Sequence, residues 1–294
     1  MPDTEFSMRQ KHSGLMVFST LWLAVLSPAF STPTPPPAPA ATSPEGSESS
    51  LEEKIDQCRK TVDQDPKDAQ AYLKWGIVLD EMGQYEDAES KYQRALDLDH
   101  HLALAYANLG LDLNRRGAYG EACEDFKKAA EINPRLVKVY YNWSLALMAM
   151  QEYDQAIGKC QKLLQTNPRD AQAMTNWGVI LGQKGERAEA IRKFQKALEW
   201  DPGFSAAYFN WGQTLMDWDQ PDKAIPMFRK VTELNPDDSQ AYLEWGMALE
   251  KTGKYEEAVR QFQKVLRLKD SEGTSSGAAR AEIFKLQKRL PADP

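Results

Sequence analysis

The chain has 294 residues, a formal net charge of −7, and 27% charged residues of both signs. A nucleic-acid binder needs a clustered basic face, so this acidic and mixed balance excludes that class from the leading interpretations. The odd number of cysteines, three, argues against a disulfide framework.

The N-terminus has the order of a secretory signal peptide. Arg9 and Lys11 precede a mostly apolar run over residues 15–26, and small residues follow that run. A bilayer-spanning helix needs about 20 apolar residues, so this shorter run favours a signal peptide over residues 1–31. We therefore expect an exported protein, periplasmic or secreted, that starts at Met1 or Met8. The alternative is an uncleaved N-terminal anchor at residues 15–26, which would then be the only membrane contact.

A spacer separates this segment from the rest of the chain. Residues 32–49 are rich in Pro, Ala, Thr and Ser and cannot bury a core, so they predict a disordered linker. Residues 50–68 carry an apolar stripe of helical period that ends before Pro66, and they predict a capping helix.

A spacing of 34 residues then runs through the chain. Its first marker is a large apolar residue followed by a small one. The markers are Trp75-Gly76, Leu109-Gly110, Trp143-Ser144, Trp177-Gly178, Trp211-Gly212 and Trp245-Gly246. A fixed period of this size indicates stacked supersecondary units, and stacking buries a core that one unit cannot bury alone.

Further markers keep the same period. Turn residues recur at Gly83, Gly117, Gln151, Gly185, Asp219 and Gly253, and an alanine recurs at Ala88, Ala122, Ala156, Ala190, Ala224 and Ala258. A large residue or cysteine follows at Tyr92, Phe126, Cys160, Phe194, Phe228 and Phe262, and a last apolar position at Ala95, Ala129, Leu163, Ala197, Val231 and Leu266. Two apolar stripes around a short turn predict an antiparallel helix pair in each unit.

The pattern resembles the tetratricopeptide repeat family. We predict six repeats over residues 69–272, with bounds at 69–102, 103–136, 137–170, 171–204, 205–238 and 239–272. The resemblance implies an all-α fold, a right-handed α-solenoid of stacked helix-turn-helix repeats. Pro226 departs from the pattern: it lies in the first helical turn if Asp222 is the cap, and otherwise the fifth repeat is kinked. Residues 273–294 predict a C-terminal capping helix and tail, with Ala279, Ile283, Leu286 and Leu290 on one face.

In the resembling family the first helix of each pair faces a concave groove. By that resemblance, the residues just around the small residue of each repeat look into the groove. The predicted groove residues are Asn108, Tyr141, Asn142, Leu145, Met148, Asn176, Val179, Phe209, Asn210 and Met216. Four of them form an Asn ladder. Asn side chains carry one donor group and one acceptor that suit a peptide backbone, although Asn can equally stabilise the helix pair itself.

The resulting hypothesis is a protein-interaction scaffold of the cell envelope that binds a partner peptide or helix in the groove. The alternative is a self-assembling structural protein, a possible homo-oligomer, whose groove accepts a terminal helix of a neighbour. No nucleophile–base pair, phosphate-binding glycine loop or metal-ligand spacing stands out. We therefore expect a protein that is not an enzyme, with no cofactor, no metal and no small-molecule substrate.

Overall fold

The computed structural model describes residues 45–268 and 274–288, and these form fourteen α-helices. Their bounds are α1 Glu45–Gln64, α2 Ala69–Glu81, α3 Tyr85–Leu98, α4 Ala103–Arg115, α5 Tyr119–Ile132, α6 Val137–Ala149, α7 Tyr153–Thr166, α8 Ala171–Lys184, α9 Arg187–Trp200, α10 Ser205–Asp217, α11 Pro221–Leu234, α12 Ser239–Lys251, α13 Tyr255–Arg267 and α14 Thr274–Gln287. The predicted signal peptide lies outside the described residues, and so do residues 32–44 of the predicted linker. The chain divides into two compact units, residues 1–91 and 92–294, with the boundary inside α3.

The described part of the first unit contains α1, α2 and the beginning of α3. Helix α1 begins at Glu45, ahead of residue 50, where the capping helix was predicted to begin. The sequence after Pro44 has no proline until Pro66, so no residue of α1 lacks a backbone donor. Ile55 and Val62 are buried, and α1 packs on α2.

The second unit is a stack of helix pairs. The pairs are α4–α5, α6–α7, α8–α9, α10–α11 and α12–α13, and they pack on one another in chain order. The first helices of the six repeats begin at residues 69, 103, 137, 171, 205 and 239, where each predicted repeat begins. The predicted fold class, an all-α solenoid of stacked helix-turn-helix repeats, is confirmed.

Each turn between the helices of a pair contains one residue with a left-handed backbone. Four repeats use glycine there, for example Gly117 with φ 77° and Gly185 with φ 89°. The third and fifth repeats use Gln151 with φ 63° and Asp219 with φ 55°. Residues with a Cβ pay a steric cost in this region, so these two turns hold backbone strain that the glycine turns do not.

The interior of most pairs is a close contact between a glycine and a phenylalanine. A Cβ atom added at Gly178 would lie 2.8 Å from Phe194, and Gly110 and Gly212 have the same relation to their own phenylalanines at 2.7 Å. In the third repeat the corresponding residues are Ser144 and Cys160, both fully buried. The smaller cysteine leaves room for the serine side chain, so the two departures from the pattern compensate each other.

Two details of the repeat pattern differ from the prediction. Val265, not Leu266, takes the last apolar position of the sixth repeat: Val265 is fully buried and Leu266 is 37% exposed, because residue 265 is 34 positions after Val231. The cap of α11 is Gln220 rather than Asp222, so Pro226 lies inside α11, which continues to Leu234.

The last helix closes the second unit. Ala279 and Leu286 of α14 are fully buried, and Ile283 packs with them against the core of the sixth repeat. Leu290, which was expected on the same face, lies outside the described residues. Within the part of the chain that the structure describes, no helix is long and apolar enough to cross a membrane.

Candidate functional site

The predicted groove residues lie on the first helices of the second to fifth repeats. The structure leaves seven of them partly exposed: Asn108, Tyr141, Asn142, Leu145, Met148, Asn210 and Met216. It buries the other three, Asn176, Val179 and Phe209, at 6% exposure each. The candidate surface is therefore unevenly open along the chain.

Helix α6 of the third repeat carries the most continuous open part. Tyr141, Leu145 and Met148 follow one another at helical spacing and are each half-buried, with Asn142 beside them. Residues three and four apart share one face of a helix, so these side chains form a single strip. The inner side of Met148 packs against the core shared with the fourth repeat.

Tyr141 is held in place by the residue that caps α8, the first helix of the next repeat. Its hydroxyl donates a hydrogen bond to Asp170 Oδ2 at 2.5 Å, while Asp170 Oδ1 accepts from the Ala173 amide and caps α8. Burial, and then the bond to Asp170, raises the pKa of Tyr141, so the phenol stays protonated as a donor. The ring is thus fixed before any partner arrives, which lowers the entropy cost of binding.

The second and third repeats carry the open end of the Asn ladder. Among the described residues, the side-chain amides of Asn108 and Asn142 make no hydrogen bond. The Asn142 carbonyl accepts a hydrogen bond from Asn114 Nδ2 at 3.1 Å, which fixes the backbone of α6 against α4. Asn114 is 5% exposed, so its role is to position Asn142 rather than to meet a partner.

In the fourth and fifth repeats the ladder is used within the chain. Asn176 Oδ1 accepts from Gln172 Nε2 at 3.3 Å, and Asn210 Nδ2 donates to the Ala206 carbonyl of its own helix at 2.8 Å. These bonds are the helix-stabilising use of Asn that the sequence left open. The ladder therefore has two roles: open amides at Asn108 and Asn142, and internal bonds at Asn176 and Asn210.

Phe209 and Val179 were expected to line the groove, and the structure places both in the interior. The Phe209 ring meets Phe228 edge to face, with ring centroids 5.8 Å apart, inside the core of the fifth repeat. Met216 packs against the same core but stays partly exposed. A partner can reach Met216 directly, whereas it would contact Phe209 only if this core opened.

Glu244 occupies the ladder position in the sixth repeat. Gln240 Nε2 donates to its Oε1 at 3.0 Å, and Gln213 provides a second side-chain hydrogen bond. Burial raises the pKa of Glu244, with the negative charge of Asp217 adding to the shift. Because its pKa in the folded chain lies above the ordinary glutamate value of 4.5, the contribution of Glu244 to stability falls as the pH rises above 4.5.

Sequence reasoning missed the residues that support the site. Asp170 has a sequence signal as a helix cap, because it precedes the first helix of a repeat. Nothing in the sequence shows that its second oxygen binds Tyr141, which lies 29 positions earlier. The hydrogen bond of Asn114 is equally invisible in the sequence, since its partner Asn142 lies 28 positions later.

The described residues contain no group of three or more His, Cys, Asp or Glu side chains placed to hold a metal ion. All three cysteines are free thiols, and burial raises the pKa of the Cys160 thiol to about 12. Helix surfaces, open amides and apolar side chains dominate the candidate site, and these groups suit binding to another protein.

Comparison with known families and structures agrees with this reading. Models of the tetratricopeptide repeat match residues 69–102, 102–137, 141–204 and 209–272, which together make up more than half of the chain. No curated protein matches the chain.

Several solved structures share the fold at low sequence identity. A tetratricopeptide repeat protein from Parabacteroides merdae is 16% identical with a TM-score of 0.68, covering 81% of this chain and 94% of that one. A thermophilic protein from Thermus thermophilus is 22% identical with a TM-score of 0.53, covering 62% and 99%. A chain of the Cut9–Hcn1 hetero-tetramer is 17% identical with a TM-score of 0.60, covering 81% and 47%.

Proteins with this repeat are generally non-catalytic scaffolds that bind protein or peptide partners. The repeat period and the family models agree over residues 69–272, and the helix pairs from α4 to α13 stack with the same period. The chain belongs to the tetratricopeptide repeat family.

Proposed function

We propose that this chain is a protein-interaction scaffold of the cell envelope that binds an extended or helical segment of a partner protein. The binding surface is the groove side of the first helices, centred on α6. The partner's apolar side chains contact Tyr141, Leu145 and Met148, and its backbone meets the open amides of Asn108 and Asn142.

One observation carries this proposal: α6 presents a half-buried apolar strip whose aromatic residue is already fixed by Asp170. Rigid aromatic and flexible methionine side chains are enriched in protein interfaces, where they bury apolar area and adapt to the partner. Because Tyr141 is pre-ordered, binding does not cost the freedom of its ring.

The amides extend the strip toward the second repeat. An Asn side chain offers an acceptor and two donor hydrogens, which match the carbonyl and N–H of a peptide backbone. Such contacts hold a segment without reading its sequence, so selectivity falls on the apolar strip of α6. Asn176 and Asn210 are occupied by bonds within their own helices, so we assign the backbone contacts to Asn108 and Asn142.

Capture from an envelope extract tests the groove. The full chain is immobilised beside a Tyr141→Ala/Met148→Ala variant and a Phe284→Ala control. Phe284 is 63% exposed on α14, so the control removes a comparable apolar side chain away from the strip. We expect a partner that the parent and the control retain and the double variant loses at least tenfold.

Equal retention on all three surfaces would contradict groove binding on α6. Circular dichroism of the double variant establishes that its helices are intact. If the immobilised parent instead retains further copies of this same chain, and the double variant does not, the self-assembling alternative is supported. Ile55 and Val62 of α1 and Leu286 of α14 are already buried in their own chain, which weighs against either helix as the ligand of a neighbouring copy.

The envelope location rests on residues 1–31, and export is part of the proposal. Cleavage after Ala29 or Ser31 would produce a mature chain beginning at Phe30 or Thr32. Intact-mass measurement of the protein from a periplasmic or culture fraction tests this. A full-length chain in the membrane fraction would support the anchor at residues 15–26, and a full-length chain in the cytoplasm would overturn export.

A further inference from the structure

The last repeat carries a row of cations that lies apart from the proposed groove. Arg260, Lys264 and Arg267 follow one face of α13 and, with Tyr242 of α12 and two glutamines, line an open depression of about 460 Å³. The Lys264 ammonium lies 5.7 Å from the centre of the Tyr242 ring. Because α13 is the second helix of its pair, these residues are not among those predicted to face the groove.

In the two preceding repeats, the lysine equivalent to Lys264 is paired with a glutamate at the position of Arg267. In the fourth repeat, Lys196 forms an ion pair with Glu199 at 2.7 Å, and in the fifth, Lys230 pairs with Glu233 at 3.1 Å. The sixth repeat keeps the lysine as Lys264, but the glutamate position holds Arg267. An internal ion pair has therefore become a pair of like charges.

In the described part of the chain, none of the three cations of the row forms an ion pair. The acids of α13, Glu256 and Glu257, lie in its first turn, four and three residues before Arg260, but neither forms an ion pair with it. Like charges at helical spacing repel one another by roughly 0.2–0.5 kcal/mol per pair, and an external anion removes that cost.

We propose that this cationic row binds an acidic segment of a partner protein. The row runs from residue 260 to residue 267, seven helical rises or about 10 Å, which matches consecutive carboxylates along a peptide. A single phosphate group is too small to meet both ends of such a row. Guanidinium groups at the two ends favour paired contacts with planar carboxylates, and Gln261 and Gln263 add amide donors.

The probe is a fluorescein-labelled hexaglutamate peptide, titrated with the full chain and followed by anisotropy. The test variant is Arg267→Glu, which installs the residue that the fourth and fifth repeats already carry and so keeps a tolerated sequence. The matched control is Lys127→Glu, the same change of charge at an exposed position of α5. We expect Arg267→Glu to weaken binding at least tenfold, and Lys127→Glu less than twofold.

Equal weakening by the two variants would overturn the proposal, since it would reflect net charge alone. Tighter binding to inorganic phosphate or to vesicles of phosphatidylglycerol than to the peptide would also overturn it. The Tyr141→Ala/Met148→Ala variant must keep peptide binding, so failure of the groove proposal and failure of the cationic row remain distinguishable.

Discussion

The third and fourth repeats are neighbours with the same helix lengths to within one residue, yet they treat the groove side differently. In the third, Tyr141, Asn142 and Leu145 are partly exposed; in the fourth, the corresponding Thr175, Asn176 and Val179 are buried. Their interiors differ too, with Ser144 against Cys160 in one and Gly178 against Phe194 in the other. Two repeats with the same backbone fold therefore differ in side-chain exposure: the third leaves these positions partly open, and the fourth buries them.

The thiol in the third repeat gives the largest expected effect. Burial raises the pKa of Cys160 to about 12 from 9.0, so at pH 8 its thiolate fraction is about a thousandfold below that of an ordinary thiol. We expect iodoacetamide to modify the partly exposed Cys58 and Cys123 in the folded chain, and Cys160 only after urea unfolds it. The folded chain keeps a proton that the unfolded chain loses above pH 9.0, so this thiol also lowers stability as pH rises beyond that value. Peptide mass mapping is the measurement, and equal labelling of Cys123 and Cys160 in the folded chain would contradict this prediction.

Exchanging the interiors of the two repeats tests whether Ser144 and Cys160 compensate each other. Cys160→Phe alone should destabilise the chain by about 3 kcal/mol, because the ring meets the Ser144 side chain. Adding Ser144→Gly should recover most of that loss and reproduce the contact of the fourth repeat. Urea unfolding followed by circular dichroism gives both values, and additive losses in the double variant would disprove the coupling.

The converse change belongs to the fourth repeat. Gly178→Ala places a Cβ atom 2.8 Å from the Phe194 ring and should destabilise the chain by about 2 kcal/mol. Ser144→Ala is the matched control in the third repeat, where a Cβ atom is already present. A Gly178→Ala chain as stable as the parent in urea would show that the pair opens more easily than the structure indicates.

The hydrogen bond from Tyr141 to Asp170 links α6 of the third repeat to the N-terminal cap of α8, the first helix of the fourth. Tyr141→Phe keeps the ring but removes the donor, and should cost about 1–2 kcal/mol because the acceptor is a carboxylate. Asp170 still caps α8 in this variant. If Tyr141→Phe leaves both unfolding and partner capture unchanged, the hydroxyl does not position the ring.

The turn of the third repeat gives the smallest effect. Gln151 has φ 63°, whereas the fourth repeat has Gly185 at φ 89°. Gln151→Gly should stabilise the chain by about 0.5–1 kcal/mol, since glycine adopts this conformation without a steric cost. Gly185→Ala should destabilise it by a similar amount. No neighbouring atom lies within 4 Å of a Cβ at residue 185, so the backbone alone decides that result.

Much of the fold follows from the sequence because the repeat is a local signal. The 34-residue spacing, the turn residues and the small residue after each Trp or Leu marker predict the helix pairs, whose first helices begin at the predicted repeat starts. Periodicity and turn chemistry depend on residues close together in the chain, which is why they can be read without the structure.

The candidate site was predictable only as a set of positions. What the sequence by itself determined was the repeat position of each side chain; with the family resemblance it predicted ten groove residues and treated Tyr141 and Phe209 as equivalent. Only the tertiary structure decided that Tyr141 is held at the surface by Asp170 while Phe209 turns into the core against Phe228. Each outcome depends on a contact between residues 19 or more positions apart, where side-chain volume and hydrogen-bond partners in another helix choose the orientation.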